Sequence, residues 1–222
     1  TEQMWEDMLR EQEIRSTMEE ALHQRQFQVY LQPVYSLSEG RAVSAEALVR
    51  WIRPGGEVVG PDAFIPLFEK NGFIAELDLY VWTEVCRYLQ ERQRKGLAPI
   101  PISVNISRAS LYLPETCGRI CDVTKRFGIA PSLFRLEITE SAYVEEPERI
   151  REAAEELRGK GYLILMDDFG SGYSSLNTLK DLPMDIIKLD TKFLQGFERG
   201  GRVGTVLVSI LRMARWLGLP VI

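Results

Sequence analysis

The sequence predicts an α/β protein built as a (β/α) barrel, and three observations carry that prediction. Segments with strand character alternate with segments of helical periodicity along nearly all of the 222 residues. The connections between them are short, as in a parallel sheet with crossover helices. The alternation also repeats too often for a small open sheet. One departure is built in. The first two strands are separated only by a tight turn at Ser38-Glu39-Gly40, so they must be antiparallel. The expected architecture is therefore a modified TIM-type barrel with an antiparallel first strand.

The elements follow in order. Residues 1–26 are charged, lack Pro and Gly, and place Met4, Met8, Ile14, Met18 and Leu22 at roughly helical spacing. They read as a helix or helix pair, a leader or linker ahead of a domain spanning 27–222. FQVYLQPVYSL and RAVSAEALVRW read as the antiparallel pair. A long helical stretch from Pro61 breaks near Asn71-Gly72 into two helices. IPISVNIS is a strand, residues 113–127 a helix opened by Pro114, LFRLEIT a strand, and PERIREAAEELRGKG a helix closed by Gly161. YLILMDD is a strand, SSLNTLKDL a short helix, MDIIKLD a strand, GTVLVSILRMARWLGL a helix, and LPVI opens one more strand.

Composition narrows the class. A formal charge of −5 gives no excess positive surface for a nucleic-acid polymer. Three cysteines and one histidine supply neither a disulfide framework nor a zinc site, so buried free thiols in a reducing, cytoplasmic setting are expected. No apolar run reaches membrane-spanning length; the most apolar tail is cut by Arg212 and Arg215. No contact of this segment with a membrane is expected.

Polar residues then mark the strand ends. Glu46, Asn105, Glu137 and the pair Asp167-Asp168 each interrupt an apolar strand, and Lys188 does the same in the next one. Any one of these could be a core polar group satisfied by backbone. Five successive strands ending this way point to one face, because parallel barrel strands bring their C-terminal ends together. Glu46, Asn105, Glu137 and Asp167 would form an all-oxygen cluster that repels itself unless a hard cation neutralises it. Such donors select Mg²⁺, Mn²⁺ or Ca²⁺. Asp168 can hold a second ion, and paired ions suit phosphodiester cleavage. Lys188 would hold the attacking water or offset phosphate charge. Arg50 shares the strand face of Glu46, and the GSGYSS run after the aspartates reads as a loop able to close over substrate.

Glu46-Ala47-Leu48 with Arg50-Trp51 resembles the EAL motif of bacterial cyclic di-GMP phosphodiesterases. The resemblance runs from about Gln28 to Ile222 and takes in LQP, VNIS, LEITES, DDFGSGYSSL and PMDIIKLD. A three-letter motif alone carries little; the ordered set is specific. The resemblance implies the modified barrel and hydrolysis of cyclic di-GMP to linear pGpG, with Mg²⁺ or Mn²⁺ required and Ca²⁺ inhibitory. It implies Glu46, Asn105, Glu137 and Asp167 as metal ligands and Asp168 for the second metal. Lys188 would position the water, and Gln32, Leu48 and Arg50 would contact the ligand. Glu140 would anchor the loop after the aspartates. It further implies a homodimer through the barrel and an upstream GGDEF or sensor domain, in a parent protein that could be membrane-anchored. The family continues past LPVI with an A-E-G-V-E segment and a later glutamine-glycine strand, so the C-terminal strands are expected to be missing from this chain. The alternative function is a receptor that binds cyclic di-GMP without turning it over. Asp-Phe-Gly also occurs in protein kinases, but no glycine-rich nucleotide loop or H-R-D segment accompanies it here.

Overall fold

The computed structural model describes residues 2–170, 183–191 and 201–222. One sheet organises them, in the order β1-β2-β4-β5-β6-β7, with β3 paired to β2. Its strands are β1 (Phe27–Tyr35), β2 (Ala42–Ile52), β3 (Val58–Val59), β4 (Ile102–Asn105), β5 (Phe134–Thr139), β6 (Ile164–Phe169) and β7 (Ile186–Leu189). β1 and β2 are antiparallel, as the turn after Leu37 requires, and β2, β4, β5, β6 and β7 run parallel. This is the expected modified (β/α) barrel, not closed among the described residues. The tail adds to it by a single parallel bridge, Ile187 to Val221, where LPVI was expected to open a strand.

The helices are α1 (Glu2–His23), α2 (Pro61–Asn71), α3 (Ile74–Arg94), α4 (Arg108–Leu111), α5 (Thr116–Phe127), α6 (Glu140–Glu145), α7 (Pro147–Gly159) and α8 (Arg202–Trp216). The break between α2 and α3 falls at Gly72, whose φ of +80° is a left-handed conformation that a side chain disfavours. Four short elements were not anticipated: a 3-10 turn at Pro131–Leu133, β3, α4 and α6. Each is too short to show periodicity. The last two are capped by Ser107 and Thr139, whose hydroxyls accept N–H bonds from Ser110 and Ala142. α5 begins at Thr116, two residues after Pro114. The short helix expected over residues 174–182, and the glycine-serine loop beyond Gly170, lie outside the described residues.

The core fills both faces of the parallel strands. At one end Phe27, Trp51, Phe64 and Phe68 form an aromatic cluster with ring centroids 5.0–6.3 Å apart. Burying each such side chain contributes roughly 1.5–3 kcal/mol. The leader is one helix, and its second half docks on this cluster. Ile14 and Ala21 are buried and Met18 and Leu22 partly so. Arg53 fastens the contact, with its guanidinium over Trp51 and an Nη1 bond of 2.8 Å to Glu13. Cys86 and Cys117 are buried free thiols, pushed up by burial to about 12 and about 11. No helix among the described residues is long and apolar enough to cross a membrane.

Candidate active site

Parallel register sets the site. Asn105 closes β4, and Glu137 and Asp167 lie in the second halves of β5 and β6, whereas Glu46, expected at a strand end, stands near the middle of the longer β2. Asn105 stands opposite Glu137 in the β4–β5 ladder. One carboxylate oxygen each from Glu46, Glu137 and Asp167 lies within 4.8 Å of the other two. Lys188, from β7, reaches all three: its Nζ is 2.6 Å from Glu137 Oε2, 3.0 Å from Glu46 Oε2 and 3.1 Å from Asp167 Oδ1. Side chains from β2, β5, β6 and β7 thus meet at one point, which strand alternation makes possible and sequence distance conceals.

The cluster is electrostatically tense. Glu137 is 1% exposed. Burial pushes its carboxyl up to about 7; the Lys188 ammonium pulls the other way, while Glu46 and Asp167 add to the rise. Burial alone would lower Lys188. The carboxylates of Glu137, Asp167 and Glu46 outweigh it and hold the ammonium above its ordinary range. Among the described residues Glu137 Oε1 is buried without a hydrogen-bond partner. Three acidic groups around one ammonium, with the buried Glu137 Oε1 unpartnered among the described residues, form an all-oxygen donor set of the kind that suits a hard divalent cation.

The paired aspartates part company. β6 is irregular between Met166 and Phe169, and Asp168 has φ +55°, a conformation uncommon for a residue with a side chain. Its N–H donates to Asp167 Oδ1 at 2.9 Å. The local kink separates neighbouring roles: Asp167 joins the trio and Asp168, exposed, does not. Just beyond, Gly170 N–H donates to Oε2 of the fully buried Glu140 at 2.9 Å.

Beside the cluster lies a cavity of about 370 Å³ whose lining includes Leu48, Arg50, Asp78, Asn105 and Ser107. Leu48 and Arg50 were expected to contact a ligand. Gln32 is not part of that lining; it sits exposed on β1, directly across from Glu46. Asp78 was missed. An acidic residue near the start of an amphipathic helix reads as surface, yet it is buried in α3. It accepts the Ser107 N–H at 2.9 Å and the Ser110 hydroxyl at 2.7 Å. Burial pushes it up to about 6 against those two donors. One turn later, Trp82 donates its indole N–H to the Asn105 carbonyl at 3.1 Å. Only the i, i+4 spacing could have hinted at this pair.

The family model described as EAL domain matches residues 15–222. The chain belongs to the EAL-domain family. This EAL domain is 32% identical over 212 residues to the cyclic di-GMP phosphodiesterase NbdA of Pseudomonas aeruginosa, covering 96% of this chain and 27% of that protein. It is 31% identical over 205 residues to the bifunctional diguanylate cyclase/cyclic di-GMP phosphodiesterase MucR of the same species, covering 92% and 30%. The solved PaMucR phosphodiesterase in its c-di-GMP complex superposes with a TM-score of 0.87 at 30% identity, covering 94% of this chain and 85% of that one. The chain therefore spans less than a third of either curated relative.

Proposed function

We propose that this EAL domain hydrolyses cyclic di-GMP to linear pGpG, using Mg²⁺ or Mn²⁺. The observation that carries the reading is the convergence of Glu46, Glu137 and Asp167 on Lys188, next to a cavity with Arg50 in its wall. Support comes from the relatives named for this activity. Glu46, Asn105, Glu137 and Asp167 would hold one ion and Asp168 a second. Bound there, the ions would supply a deprotonated water at neutral pH and neutralise phosphate charge. Arg50 would fork onto a phosphate. Asp78, in the cavity wall with Oδ2 engaged by Ser107 and Ser110, would leave Oδ1 for an N–H donor of the base, and Leu48 offers an apolar contact. Lys188 would steer the water onto phosphorus. The P–O3′ bond then breaks, the 3′ oxygen leaves with a proton, and the product keeps a 5′-phosphate. Ca²⁺, larger and less exacting in geometry, would occupy the site without supporting turnover. In the parent protein the domain would follow a diguanylate cyclase or sensor module, and pair through the barrel.

The test is chromatography of cyclic di-GMP after incubation with the chain in Mg²⁺, with Ca²⁺ and Glu46→Gln as controls. Linear product in Mg²⁺ alone, lost in the variant, is expected. A dinucleotide that binds but stays cyclic would make the domain a receptor.

A further inference from the structure

The Lys188 ammonium stands within ion-pair distance of three carboxylates from three different strands, at 2.6, 3.0 and 3.1 Å, and donates a hydrogen bond to the nearest, Glu137 Oε2. The same three carboxylates are drawn close, one oxygen of each lying within 4.8 Å of the other two. A hard divalent cation held by these carboxylates would occupy the space between them, where the ammonium now lies. Two cations cannot hold that space together. Nor does the ammonium satisfy what surrounds it. It offsets one of three negative charges, and it leaves Glu137 Oε1 buried with no partner among the described residues.

We infer that Lys188 is the resident counter-ion of the acidic cluster, and that a divalent cation enters by displacing its ammonium. Resting on the metal-dependent reading above, this assigns Lys188 two states. In the first it holds three like charges together across β2, β5 and β6, so the site exists before the ion arrives. In the second it is released from the carboxylates and becomes free to act at the phosphate. Metal occupancy and the availability of this lysine are then one event. The exchange follows from charge: the group best able to neutralise the cluster is the one carrying two positive charges.

The test titrates Mn²⁺ alone, without dinucleotide, into the full chain and reads free Mn²⁺ by electron paramagnetic resonance. Lys188→Gln removes the competing charge and should bind Mn²⁺ roughly tenfold more tightly or better, as expected when a like charge leaves a poorly screened site. Lys188→Arg keeps the charge and should bind as the unsubstituted chain does. A second readout needs no variant: acylation of the Lys188 amine, followed by peptide mass spectrometry, should rise when Mn²⁺ is added. Equal or weaker binding by Lys188→Gln, or labelling that Mn²⁺ leaves unchanged, overturns the displacement while the metal site itself stands. Failure of every form to bind Mn²⁺ overturns the metal reading, and the displacement falls with it.

Discussion

At Glu137 burial and neighbouring charge act on one carboxyl in opposite directions, and burial wins. Its native pKa, pushed up to about 7, lies above the ordinary 4.5. The native state therefore holds this proton more tightly than the unfolded chain does. The resulting stability is fully present below pH 4.5 and is lost as pH rises through about 7. In chelator, the melting temperature of the unsubstituted chain should fall across that window more steeply than that of Glu137→Gln. Parallel pH profiles for the two would show that Glu137 does not titrate there. The sequence exposed this residue because a carboxylate breaking an apolar strand has few explanations. It hid Asp78, raised to about 6 by burial with the same sign of pH dependence, because a helix offers acidic residues a solvent face and the pattern alone does not say which face Asp78 takes. Asp167 and Asp168 were legible as a pair but not as two different environments. The positive φ of Asp168 that separates them is a backbone property with no sequence signal beyond the following glycine.

One turn of α3 holds the last residue of β4 and the backbone two residues beyond it. Asp78 accepts from Ser107 N–H, and Trp82 donates to the Asn105 carbonyl. The arrangement sets the depth and register of Asn105, the only uncharged residue in the expected ligand set. Trp82→Phe keeps most of the ring and removes the donor, at a cost of about 1 kcal/mol for the hydrogen bond and a few degrees in melting temperature. Its Mn²⁺ affinity should fall several-fold. Leu89→Ala, on the same helix and 2% exposed, should cost roughly 2–5 kcal/mol and leave Mn²⁺ affinity unchanged. Equal affinities for Trp82→Phe and the unsubstituted chain would reduce Trp82 to packing. At this scale the sequence was most informative about long elements. The antiparallel β1–β2 pair, the α2–α3 break and the strands carrying Glu46, Glu137 and Lys188 all follow from periodicity and turn residues. β3, α4 and α6 do not, because two to six residues contain too little pattern and their existence depends on neighbours already in place. The docking of α1 was open for the same reason. Ile14 and Ala21 look like any amphipathic stripe until the Phe27–Trp51–Phe64–Phe68 cluster gives them a surface.

The whole molecule enters through the geometry of convergence. Glu46, Glu137 and Asp167 are dispersed along the chain, and only a folded parallel sheet brings them to one point. A ligand that needs all of them binds the native state and has no comparable site in the unfolded one. Binding is then linked to global stability. At a free Mn²⁺ concentration 100 times the dissociation constant, the stabilisation is about 2.7 kcal/mol. For a domain of this size, each kcal/mol moves the midpoint by roughly 2–4 °C. Mn²⁺ should therefore raise the melting temperature of the chain by about 5–10 °C. Glu46→Gln and Glu137→Gln substitute residues on different strands, yet each should abolish most of that increment, since both carboxylates belong to one site. Two equal half-sized losses would indicate independent surface sites, and an unaltered increment in either variant would place the ion elsewhere.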